Sequence, residues 1–150
     1  MQKRMDLSPR RRRRVTAARE MRVGQRTDPF VIESVDPARI KTVAAILQDP
    51  TPIHLDAAAT RLLGMGDSIS AQGALNMTWF AEAAVRFAGG RERLVSFEVR
   101  FLDHVFGGER FECTGTVTAI DPDQGRVRLE LLATSGGRPV LGGTAVVRTV

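Results

Sequence analysis

Apolar residues follow a helical spacing in the first two thirds of this chain and an alternating one in the last third. After Asp36-Pro37 they recur as Ile40, Val43, Ala44 and Leu47, one face of an α-helix. Asp36 suits the N-cap, because its carboxylate accepts from an orphan N–H, and Pro37 suits the first helical position, where no N–H is needed. Pro50 disfavours helical geometry at Asp49, so this helix is expected to end near Gln48. A second, shorter helix is predicted with Asp56 as N-cap, running over residues 57–63 and stopping at Gly64. Residues 74–87 follow Gly73 and close on Gly89-Gly90. They are apolar around most of the circumference, which predicts a helix buried on nearly all sides. Residues 95–101 and 111–117 then alternate with a period of two, and 127–131 and 140–150 complete a run of strands. Turn sequences lie at 121–125 and 136–139. Short connections between successive strands predict an antiparallel meander, and one helix enclosed by it is an α+β arrangement. A further strand is needed to cover the helix, and residues 22–32 are placed to supply it.

Length changes this picture little: 150 residues suit one domain with a sizeable core, 43% of them hydrophobic. Charge changes it more. The formal net charge of +5 suggests a nucleic acid or an anionic surface as partner. Yet residues 1–26 hold ten Lys and Arg against two acids, giving +8, while residues 27–150 hold 12 basic and 15 acidic residues, giving −3. Residues 1–20 therefore read as a flexible basic extension and residues 21–150 as a single domain. The extension is expected to be a solvated tail, with Met21 as an alternative start. A phosphate-binding arm is the competing reading, disfavoured because no aromatic residue interleaves the arginines. A lone cysteine, Cys113, excludes a disulfide framework and favours a reducing, cytoplasmic setting. Neither a membrane-spanning run nor a secretory signal is present in the sequence.

Chemistry concentrates between the first two helices. Asp49 and His54 flank the connection Asp49-Pro50-Thr51-Pro52-Ile53-His54, stiffened by two prolines, so both side chains are expected in one cleft. An imidazole and a carboxylate together can share the proton transfers of an addition or elimination. Asp56 reads as a cap, Asp103 as a turn residue and His104 as a structural or surface histidine. Cys113, Met77 and Trp79 read as core. One cysteine and two unclustered histidines disfavour a metal site.

The whole string Asp-Pro-Thr-Pro-Ile-His-Leu-Asp resembles the hydratase motif of the MaoC-like dehydratases and (R)-specific enoyl-CoA hydratases. That motif is roughly Gly-Asp-x-Asn-Pro-Ile-His-x-Asp, followed further on by Ile-Ala-His-Gly. The matching residues are Asp49, Pro52, Ile53, His54 and Asp56, then Ala71 and Gly73. The stretch 101–109 also resembles the family's Arg-Phe…Pro-Val…Gly-Asp strand and turn. The likeness covers about residues 22–150. Gln48 replaces the family glycine, Thr51 the asparagine and Gln72 the histidine before Gly73.

This resemblance implies a hotdog fold, an antiparallel sheet wrapped around a long buried helix. It implies a hydro-lyase that hydrates trans-2-enoyl thioesters or dehydrates 3-hydroxyacyl thioesters of coenzyme A or acyl carrier protein. Asp49 and His54 would activate water, Gly73 would meet the thioester carbonyl through its backbone N–H, and Gln72 would share that oxyanion and substrate-binding site. No cofactor of the protein's own is implied. A homodimer, or a heterodimer in which this chain is the catalytic hotdog subunit, is expected. A hotdog thioesterase is the alternative enzyme, and nucleic-acid binding through the tail the alternative of another class.

Overall fold

The computed structural model describes residues 20–149; the basic extension, residues 1–19, and Val150 lie outside the described residues. In chain order come β1 (Phe30–Ile32), α1 (Pro37–Leu47), α2 (Ala57–Leu62), α3 (Gly73–Ala88), β2 (Leu94–Phe101), β3 (Phe111–Asp121), β4 (Arg126–Ser135) and β5 (Arg138–Arg148). Single 3-10 turns occupy Pro52–His54 and Arg91–Arg93. The predicted caps are in place. The Asp36 carboxylate accepts from the Ala38 N–H and that of Asp56 from the Ala58 N–H, each at 2.8 Å. Helix α1 stops at Gln48, which takes the left-handed conformation at φ 52° and is the one non-glycine residue with positive φ among the described residues.

The five strands form one antiparallel sheet in the order β1-β3-β4-β5-β2. The expected meander holds for β3, β4 and β5. It fails for β2, which pairs with β5 on the far edge instead of with its successor β3. The cause is the connection over residues 102–110, long enough to carry the chain past the end of the sheet. Residues 22–32 supply a strand only at Phe30–Ile32, plus an isolated bridge from Arg26 to Thr116. Close approach of β2 to β5 needs a glycine at 143, where a Cβ would collide with the Glu98 carbonyl.

Helix α3 packs against this sheet. Leu75, Asn76, Trp79, Phe80, Ala83, Ala84 and Ala88 are buried. Trp79 packs on Phe111 of β3 with ring centroids 5.3 Å apart, and the Arg86 guanidinium sits 4.6 Å over the Phe30 ring, tying the helix to β1. The expectation of burial on nearly all sides is met only toward the sheet. Ala74 and Thr78 are exposed, and Met77, Ala81 and Val85 are half-buried, because the sheet of one chain covers one side of the helix. Cys113 is a core residue as read, with its thiol pushed up to about 12 by burial. Among the described residues no helix is long and apolar enough to cross a membrane.

Candidate active site

The loop after α1 is built around the Asp49 carboxylate. The Asp49 N–H closes on the Ala44 carbonyl at 2.9 Å, which fixes where the residue leaves the helix. Thr51 then donates twice to Asp49 Oδ1, from its hydroxyl at 2.5 Å and from its backbone N–H at 3.0 Å. These two bonds, hydroxyl first, hold the carboxyl below the usual carboxylate range; partial burial opposes them and His54 adds to them. Pro52 opens the 3-10 turn that ends on His54, and the His54 N–H returns to the Thr51 carbonyl at 3.1 Å. The stiff connection therefore presents both side chains on one side.

His54 has a defined tautomer. Its Nδ1 lies 2.6 Å from the Ser70 carbonyl oxygen. A carbonyl only accepts, so Nδ1 carries the proton and the neutral ring keeps its lone pair on Nε2. Nε2 faces Asp49 Oδ2 at 3.5 Å, with 12% of the His54 and 28% of the Asp49 side chain exposed. A lone pair and a carboxylate are both acceptors, so what the two can bind in common is a molecule that donates a hydrogen to each, such as water. Protonation of the ring converts the same contact into an ion pair. The arrangement can thus orient a water and take up or release its proton.

Gly73 and Gln72 open α3, three and two residues beyond the Ser70 that holds His54. Gly73 is the first helical residue, and no side chain caps the helix, so its N–H is presented at the positive end of a 16-residue dipole. A Cβ at Gly73 would reach only 3.4 Å from the Phe101 ring, so packing within the chain leaves room for one. Gln72 points elsewhere: it is buried, its amide donates to the Ile40 carbonyl at 3.0 Å and its Oε1 has no partner. The side chain braces α1 against the start of α3.

Two participants escape the sequence reading. Ser70 contributes a backbone carbonyl, which no residue type announces. His104 reads as a structural or surface histidine, and it is exposed, but its Nδ1 also lies 3.0 Å from the buried Ser70 hydroxyl beside the site, a contact the sequence does not announce. Among the described residues no group of three or more His, Cys, Asp or Glu side chains is placed to hold a metal ion.

No family model matches the chain, and no curated protein matches it. Solved structures do. The (R)-hydratase from A. caviae involved in PHA biosynthesis is 23% identical with a TM-score of 0.74, over 87% of this chain and 98% of that one. The MaoC-like dehydratase from Rhodospirillum rubrum is 25% identical with a TM-score of 0.67, over 90% and 98%. The chain has their hotdog fold. A chain of the ChsH1–ChsH2 complex from Mycobacterium tuberculosis shares this fold at 16% identity and a TM-score of 0.72, over 86% and 98%. In hotdog terms, α3 is the central helix, and the Asp49–His54 loop lies beside the segment that leads into its N-terminus.

Proposed function

We propose that this protein is a hydro-lyase of the MaoC-like type, adding water to trans-2-enoyl thioesters or removing it from 3-hydroxyacyl thioesters. The observation that carries the reading is the locked His54 tautomer, its Nε2 lone pair facing the ionised Asp49 at 3.5 Å. In the hydration direction the pair takes a proton from water as its oxygen bonds to C3 of the substrate. Electrons of the double bond move toward the thioester carbonyl, and a proton returned to C2 completes the addition. The carbonyl oxygen gains enolate charge on the way, and the Gly73 N–H, reinforced by the α3 dipole, offsets it. Coenzyme A or acyl carrier protein carries the acyl group.

A second hotdog chain, identical or different, completes the enzyme. Support comes from the edge of β2, which has no strand beside it among the described residues and exposes Val95 and Phe101, and from the face of α3 that the described residues leave open. It also comes from the neighbouring fold found in a complex.

The test is a panel of enoyl-CoA thioesters, followed by loss of conjugated-thioester absorbance. Turnover is expected for wild type, and Asp49→Asn and His54→Ala should each lose at least a hundredfold in kcat. Release of free thiol without hydration would make the protein a thioesterase, and full activity in either variant would remove the pair from the mechanism.

A further inference from the structure

Both histidines of the chain end on one serine. Ser70 is fully buried and held at three atoms. Its N–H donates to the Ile53 carbonyl at 2.8 Å, its carbonyl accepts from His54 Nδ1 at 2.6 Å, and its hydroxyl lies 3.0 Å from His104 Nδ1. The first two bonds join it to the loop that carries His54. The third joins it to the connection between β2 and β3.

That connection is braced around His104. The Asp103 carboxylate accepts from the His104 N–H at 2.7 Å and pairs with Arg138 of β5 at 3.1 Å. Arg138 also donates to the His104 carbonyl at 3.2 Å and pairs with Glu109 at 3.0 Å. Glu109 in turn accepts from the Phe106 N–H and the Ser135 hydroxyl. Backbone bonds from Ala71 to Val105 and from Gly107 to Ile69 zip the two segments together. His104 is exposed, yet its own N–H and carbonyl are both held in place.

We propose that His104, acting through Ser70, is a positioning residue that holds His54 in the tautomer whose lone pair faces Asp49. Only the kinetic consequence rests on the hydro-lyase reading. The Ser70 hydroxyl has one near alternative, the Ala71 carbonyl at 3.4 Å, so the His104 ring sets its rotamer. The Ser70 carbonyl shares its peptide plane with the Ala71 N–H, which donates at 2.8 Å to the carbonyl of Val105, the residue after His104; this bond and the hydroxyl contact together hold the carbonyl toward His54 Nδ1, and its direction selects which nitrogen of His54 carries the proton. The charged groups beside His104 are Asp103 and Arg138, with Glu109 reached through Arg138 and His54 across Ser70.

The experiment uses the full chain labelled with nitrogen-15, reading the imidazole nitrogens by NMR across pH beside enoyl-CoA hydration. Wild type is expected to show His54 protonated at Nδ1 alone. In His104→Ala both tautomers of His54 should appear, the pH profile of kcat should shift, and kcat should fall about tenfold with KM within twofold. His104→Gln, whose amide can bond Ser70, should recover most of both. Ser70→Ala should match His104→Ala, and the double variant should be no worse than either. An unchanged His54 tautomer in both His104→Ala and Ser70→Ala, or a loss that folded His104→Gln does not restore, overturns the proposal. If wild type hydrates no thioester the hydro-lyase reading fails, while the nitrogen spectra still decide the role of His104.

Discussion

Gln48 holds a conformation that glycine adopts without a Cβ penalty, one residue before Asp49. Gln48→Gly should relieve that strain and raise stability by about 0.5–1 kcal/mol, net of the extra unfolded-state entropy of glycine. A lowered midpoint in urea would show that the glutamine side chain contributes more than its backbone costs. Three residues on, Thr51 sets the charge of Asp49. In the wild type the folded carboxylate stays ionised below its ordinary value of 3.8. Its stabilising contribution is therefore complete above 3.8 and is lost as pH falls through the lower folded value. Thr51→Val removes the stronger of the two bonds, so Asp49 should titrate nearer 3.8 and the acid-side loss of stability should flatten. Carbon-13 shifts of the Asp49 carboxyl across pH measure this directly, and an unchanged titration would refute the assignment. Asp49 and His54 are legible in sequence because prolines 50 and 52 fix their spacing. Ser70 is not, since a backbone carbonyl leaves no signature, and the contact of His104 with it depends on a residue 34 positions away.

At the scale of elements, the caps and prolines made the helices readable, since each boundary rests on bonds within a few residues of itself. Strand pairing rests on distant partners. The alternation in β2 identifies a strand but not its neighbour, and only the 102–110 crossover, with Asp103 and Glu109 tied to Arg138, determines that β5 receives it. Helix α3 allows a separation of stability from function at its first residue. A methyl on Gly73 fits against Phe101, and alanine is the better helix former. Gly73→Ala should therefore leave the melting temperature unchanged or slightly higher. Hydration activity should fall more than tenfold, because the methyl occupies the approach to the N–H. Calorimetry and kcat/KM together test it, and full activity would show that the substrate carbonyl binds elsewhere.

For the molecule as a whole, the edge of β2 and the side of α3 that the described residues leave open point the same way. Sedimentation should give a particle of at least about twice the 16.4 kDa chain mass, or a monomer that pairs when a second hotdog subunit is added. Val95→Lys, a charge on the open edge, should shift it toward the monomer. A wild type that stays monomeric and fully active would show that one chain suffices. The split of charge along the chain was readable from where the charged residues stand in the sequence, whereas the open face of α3 was not: an all-round apolar helix has the same sequence pattern whether its last side is covered by its own sheet or by another chain.

Trp79 carries a practical consequence. It is the only tryptophan, and the chain has no tyrosine, so nearly all near-ultraviolet absorption and emission come from one indole packed on Phe111. Fluorescence therefore reports a single event, the departure of α3 from β3. A red shift that precedes loss of far-ultraviolet circular dichroism would mean that the central helix leaves before the sheet dissolves; coincident curves would mean that they go together.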